Sequence, residues 1–187
     1  MSCRGKLVPL PPIGLTNRLR RMVWQLAHAL LYRPTPIAAH RWRSLVLRSF
    51  GAKIEGRVYP YPSARVWAPW NLEMRRGSCI AGEVDCYNVA RVTLGEGVTV
   101  SQKSYLCTAS HDFDDPKFPL TGAPILIGAE AWVAADTFVG PGVEIGDRAV
   151  VLARAVVVGD VAPGMVVGGN PAKNLRVRAE TGTTKKG

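Results

Sequence analysis

From Ile127 onward, aliphatic residues return at a fixed step of six: Ile127, Val133, Val139, Ile145, Val151 and Val157. The position after each is mostly small or compact, as Gly128, Ala134, Gly140, Gly146, Leu152 and Val158. Four residues after each aliphatic stands a second apolar or small residue, namely Ala131, Thr137, Val143, Ala149, Ala155 and Val161. Leu94, Val100 and Leu106 repeat the rhythm in an earlier run, with Val98 and Ser104 at the second position, and Ile80 with Val84 marks a ragged beginning. A six-residue step turns an α-helix by about 240°, so a helix would spread these residues over three faces. A sandwich would show two-residue alternation with turns every 8–12 residues. A coil of short strands fits: three six-residue units close one triangular rung, and the aliphatic residues stack inward as ladders, each rung burying its apolar edge against the next. Small residues then take the corners, where bulk would clash.

Other stretches follow different rules. Leu15 to His28 and Ile37 to Phe50 carry apolar residues at helical spacing, separated by Pro34 and Pro36, and Thr16 or Asn17 is the expected cap of the first helix. These helices are suited to covering the open end of the coil. Between the repeat runs the phase breaks over residues 107–124, CTASHDFDDPKFPLTGAP, a stretch with no regular pattern and the kind of loop in which function is placed. The expected organisation is a basic helical arm over 1–57, a repeat domain over 58–178, and a disordered polar tail over 179–187.

Composition narrows the function. The net charge of +10 lies wholly in the arm: Arg4, Lys6, Arg18, Arg20, Arg21, Arg33, Arg41, Arg43, Arg48, Lys53 and Arg57 face only Glu55, and charges balance from Val58 onward. The positive field therefore belongs to an appendage. No apolar run approaches the roughly 18 residues of a membrane span, and the prolines at 9, 11 and 12 break any leader-like segment, so the expectation is a cytoplasmic protein. Cys3, Cys79, Cys86 and Cys107 have no metal-ribbon spacing and read as free thiols.

The hexads, the loop segment CTASHDFDDPKFPL and the segments VDCYNVA, AWVAADTFVGPGVEIGDRAVV and GGNPAK together resemble the hexapeptide-repeat acyltransferases, most nearly the sugar O-acetyltransferases of exopolysaccharide pathways, the colanic-acid-biosynthesis type. The resemblance implies a mainly β fold, a left-handed parallel β-helix of hexapeptide repeats with short N-terminal helices, assembled as a homotrimer with active sites between copies. It implies an acetyl-CoA-dependent O-acetyltransferase without a metal, acting on the hydroxyl of a sugar or glycolipid in exopolysaccharide or other glycan biosynthesis. His111 matches the family's catalytic histidine. A hydroxyl needs a base as it attacks a thioester, and imidazole suits that task near neutral pH. Asp112, Asp114 or Asp115 would orient it, or serve only as turn residues. Asp85 and Asn88 match the acceptor lining or serve only as coil-corner residues, Trp132 matches an aromatic at the acyl channel or merely packs at a coil edge, Ala135 and Ala153 match small positions beside the pantetheine arm, and Lys173 and Arg176 match the basic residues that meet the CoA phosphates. Val158–Gly159 departs from the Thr-Lys that related enzymes often carry, which removes one phosphate contact or moves it elsewhere.

Rival readings remain at this point. A zinc hydratase on the same fold needs several histidines, and only His111 follows His40; His28 and His40 read as helix-surface or packing residues. Cys107 as an acyl-accepting nucleophile competes with its reading as a core or edge thiol. A non-catalytic module holding nucleic acid or an anionic membrane through the basic arm is the alternative from another class. Trp24 and Trp42 among the arginines favour peripheral contact at the inner membrane face over nucleic acid.

Overall fold

The structure, a computed structural model, describes residues 7–11 and 14–179. Its body is a parallel β-helix with three faces. The first face stacks Lys53–Ile54, Leu72–Met74, Val92–Leu94, Ile125–Ile127 and Glu144–Ile145. On the second, Tyr59–Pro60, Cys79–Ile80, Thr99–Val100, Trp132–Val133, Val150–Val151 and Met165–Gly168 lie in register and end on the antiparallel Lys173–Val177. The third holds Arg65–Val66, Asp85–Tyr87, Tyr105–Cys107, Phe138–Val139 and Val156–Val157. Asp85–Tyr87 turns only its middle residue inward, whereas Leu72–Met74, Val92–Leu94 and Ile125–Ile127 bury both outer residues around one that faces out. Met74, Leu94, Ile127 and Ile145 form one buried ladder, Ile80, Val100, Val133 and Val151 a second, and Cys86, Leu106, Val139 and Val157 a third. Each such side chain, fully buried, is worth about 1.5–3 kcal/mol of transfer free energy, and the rung repeats the gain.

The corners explain the small residues. A Cβ on Gly146 would stand 2.5 Å from the Pro163 nitrogen of the next rung, so a side chain there would push the rungs apart. The second position of each hexad, including Ala131, Val143, Ala149, Ala155 and Val161, is buried. Thr137 spends its hydroxyl on the Ala134 carbonyl at 2.8 Å, which lets a polar residue stand in this apolar column.

The coil begins before residue 58: Lys53–Ile54 already pairs with Glu73–Met74. Its start is not ragged either. The inward residues Ile54, Pro60, Val66, Met74, Ile80, Cys86 and Leu94 follow the six-residue step except at the corner from the third face to the first, where Val66 to Met74 and Cys86 to Leu94 each take eight. A 3-10 turn, Pro69–Asn71, fills the first of these.

Helix α1 (Leu15–Ala27) continues through a wider turn, His28–Tyr32, and helix α2 (His40–Ser49) follows. Neither Thr16 nor Asn17 caps α1: the cap is Gly14, with no side-chain bond, and its carbonyl accepts from Arg18 N at 3.2 Å. Asn17 lies inside the first turn, past the position from which a side chain reaches the unpaired N–H groups. The helices close the open end of the coil by bonding the outermost strand of every face. Arg48 Nη2 donates to Ile54 O at 3.0 Å, Arg43 Nε to Pro60 O at 2.7 Å and Trp24 Nε1 to Val66 O at 2.7 Å. His28 Nε2 adds a bond to Ala64 O at 3.1 Å, and His40 lies against Pro60 O, so both histidines serve packing. Carbonyls that would otherwise template another strand are thus occupied.

Residues 107–124 are more ordered than their sequence suggests. Ala109–His111 and Leu120–Gly122 form an antiparallel hairpin, extended by Val8–Pro9 from the N-terminus. Of the expected tail, 180–187 lie outside the described residues.

Candidate active site

His111 ends the first strand of that hairpin, which leaves the body at the edge where the third face turns towards the first. Its imidazole is exposed. Nδ1 lies 2.9 Å from the Phe118 carbonyl, and the two rings stack with centroids 4.4 Å apart at 8°. A carbonyl oxygen only accepts, so Nδ1 carries the proton and Nε2 presents its lone pair. The orienting group is therefore a backbone carbonyl and not a carboxylate. Asp112 Oδ1 takes the Asp114 N–H at 3.1 Å and Asp115 Oδ1 the Lys117 N–H at 2.8 Å, both turn bonds that hold the hairpin tip.

The cofactor candidates gather at a different edge, between the second and third faces. Ala135 and Ala153 occupy equivalent corners of successive rungs, joined by Arg154 N to Ala135 O at 3.0 Å. Trp132 stands on the strand leading into the Ala135 corner, its Nε1 donating to Ser101 Oγ at 2.9 Å while its ring stays exposed. One rung further, Gly169 O accepts from Val156 N, and the turn there delivers Lys173. Arg176 lies along the same terminal strand with Nη1 donating to Val177 O at 3.1 Å. Trp132, Ala135, Ala153 and Lys173 thus line one track, whereas His111 rises from the opposite edge of the third face.

The two acceptor candidates differ in placement. Asp85 faces out from the third face, 2.7 Å from Arg65, in a groove of about 860 Å³ floored by Trp67, Tyr87 and Tyr105. His111 is not among the residues that line this groove. Burial, with Cys107 beside it, pushes the Tyr105 hydroxyl up, so at neutral pH it remains a hydrogen-bond donor. Asn88 is fully buried: its Oδ1 accepts from Ala68 N at 2.9 Å and its Nδ2 donates to Ala68 O at 2.7 Å. The acceptor-lining role expected for Asn88 is corrected on that ground, since its amide is spent within the corner. In the next rung Thr108 acts likewise, taking Ala90 N and donating to Tyr87 O. The aromatic floor is what sequence reading missed; its signal was the outward position two residues apart on each third-face strand.

Cys107 is buried with its thiol on Ala109 O at 3.2 Å, which fits the core thiol and not an exposed nucleophile. Cys79, Cys86 and Cys107 are unpaired, and burial pushes the Cys86 thiol up. Among the described residues no group of three or more His, Cys, Asp and Glu is placed to hold a metal ion. No helix among them is long and apolar enough to cross a membrane.

The fold is a left-handed β-helix with a single loop histidine, and its relatives make the chain a hexapeptide-repeat acetyltransferase. No family model matches the chain. It is 39% identical over 165 residues, 88% of its length and 91% of the relative's, to the colanic acid biosynthesis acetyltransferase WcaF of Escherichia coli (strain K12), and it belongs to that acetyltransferase family. Among solved structures, a hexapeptide-repeat acetyltransferase of Vibrio cholerae O1 biovar eltor complexed with acetyl coenzyme A superposes with a TM-score of 0.80 at 24% identity, covering 96% of this chain and all of that one. A maltose O-acetyltransferase of Clostridium difficile 630 gives 0.75 at 21% identity, covering 89% and 90%. At these identities the two share the fold.

Proposed function

We propose that the chain transfers the acetyl group of acetyl-CoA directly to a sugar hydroxyl in polysaccharide biosynthesis, with His111 as general base. The observation that carries this is the Nδ1 bond to Phe118 O, which leaves Nε2 as the atom that accepts a proton. As the sugar oxygen attacks the thioester carbonyl, its proton passes to Nε2, a C–O bond forms and the oxyanion collapses with loss of the C–S bond. The thiolate then takes the proton back, so no covalent enzyme intermediate is needed. The acyl donor fits the track of Trp132, Ala135 and Ala153, where small corner side chains leave room for a linear arm, and Lys173 and Arg176 meet its phosphates. Asp85 and the aromatic floor suit the acceptor, since sugars offer both apolar ring faces and hydroxyls to such a surface.

The base and the donor track lie on opposite edges of one face, which supports a homotrimer in which the hairpin of one copy meets the track of its neighbour. The test is acetyl-CoA-dependent thiol release over a panel of free sugars and glycolipids, run beside His111→Ala, with mass measured in solution. The expected result is acceptor-dependent release that falls about 10²–10⁴-fold in the variant. Release that survives His111→Ala removes the base, and no release with any acceptor removes the reaction.

A further inference from the structure

The helical cap presents a second face that the acetyl-transfer reading leaves unused. On α1 and its continuation, Leu15, Met22, Leu26 and Leu30 keep 72%, 64%, 61% and 63% of their surface exposed, and Leu19 and Val23 lie between them. On a helical projection these six fall within about 100° of arc, opposite Trp24, which the coil buries. The helix is therefore apolar on two sides, and only one is covered. The stripe continues onto α2, because Trp42 Nε1 donates to Leu31 O at 2.7 Å and brings the exposed Trp42 ring and Leu45 alongside.

Charge identifies the occupant. No acidic residue precedes Glu55, and Arg18 and Arg41 are exposed beside the stripe, whereas Arg33 lies on the side of the Asp85 groove with Trp24 and His28. Arg20 and Arg21 are held over Trp70 and Trp67 and belong to the cap. Beside Trp42 and Leu45 a groove of about 680 Å³ is flanked by Arg41, Arg48 and Arg57, with no carboxylate in its lining. An apolar stripe with an indole at its end and cations around it matches the boundary between acyl chains and anionic headgroups. A second copy of the same face would bring arginine against arginine.

We infer that α1 and α2 form a docking surface for an anionic lipid bilayer, the leucine stripe entering the acyl boundary and the arginine-lined groove taking lipid phosphate. Taken with the acetyl transfer proposed above, on which this second step rests, the surface selects acceptors anchored to lipid over those free in solution.

The experiment is flotation of the full chain at low salt with vesicles of phosphatidylcholine alone and of phosphatidylcholine mixed with phosphatidylglycerol. It needs neither donor nor acceptor, so its failure is distinct from failure of the transferase reading. The chain is expected to float with the mixed vesicles and to dissociate as salt is raised. Both Arg18→Glu/Arg41→Glu and Leu19→Ser/Leu26→Ser should weaken partition about tenfold or more, with unchanged thermal midpoints because all four positions are exposed. No flotation with mixed vesicles, equal flotation with neutral ones, or variants that bind like the parent overturn the proposal. A fall in solution mass for Leu19→Ser/Leu26→Ser also overturns it, because the stripe would then be a seam between copies.

Discussion

His111 lies flat on the ring of Phe118 while donating its Nδ1 proton to the carbonyl of that same residue. One residue thus fixes both the plane and the tautomer of the imidazole. Phe118 does so from a φ of 45°, a left-handed conformation that is costly for a bulky side chain, by about 1–3 kcal/mol.

Stability and activity should therefore separate in Phe118→Gly. Glycine accepts the backbone without strain and keeps the carbonyl, but removes the ring that holds the imidazole flat. Urea unfolding is expected to show equal or greater stability, while kcat falls about tenfold with KM for acetyl-CoA unchanged. A variant as active as the parent would mean that the stacking does not orient the base.

Ala153 is exposed at its corner, so Ala153→Trp should fold normally and block the donor track. KM for acetyl-CoA is expected to rise at least about tenfold, some 1.4 kcal/mol of binding. If base and track come from different copies, co-expression of Ala153→Trp with His111→Ala restores about a quarter of parental activity, the share of interfaces that receive both intact elements from random mixing in a ring of identical contacts. Mixed trimers with no recovered activity would place both elements in a single copy.

The rungs from Gly128 to Val161 were legible because their inward residues are aliphatic and their corners small, so spacing alone revealed them. The first rungs were obscured for physical reasons. Pro60, Ala64 and Cys86 fill inward positions as well as an aliphatic residue does, and the eight-residue steps to Met74 and Leu94 break the phase. The hairpin carrying His111 could not be read locally, since its partner Val8–Pro9 lies over a hundred residues away in sequence. Ala135 and Ala153 were singled out by the resemblance alone; that they share one edge follows from their standing one full rung apart. Asn88 stayed open between two roles because a polar residue in a segment that resembles an acceptor lining looks the same in sequence whether its amide meets a sugar or a buried corner.

Asn88 supplies a direct test of that correction. Asn88→Ala leaves the N–H of Ala68 without a partner inside the corner and takes one of two donors from its C=O, which keeps Asn71 N at 2.9 Å, a loss of about 2–3 kcal/mol. The thermal midpoint is expected to fall by roughly 4–12 °C for a chain of this size. Turnover per folded molecule and KM for the acceptor, measured well below the midpoint, should match the parent. A raised acceptor KM with unchanged stability would return Asn88 to the acceptor site.

His28 gives the cap a pH dependence whose sign is fixed by its surroundings. Burial, with the positive charge of Arg33 acting the same way, lowers its pKa from the ordinary 6.5, and the bond to Ala64 O only partly offsets this. The folded chain then binds fewer protons at His28 than the unfolded chain in the window below 6.5. Its contribution is complete above that value and is lost as pH falls towards the folded pKa. His28→Gln keeps a donor for Ala64 O but cannot take up a proton. Comparison of thermal midpoints at about pH 7.5 and about pH 5 should show a larger fall for the parent than for the variant, with the difference appearing below about pH 6.5. Parallel pH profiles would show that the imidazole is protonated equally in both states, and that the cap is not what acid loosens.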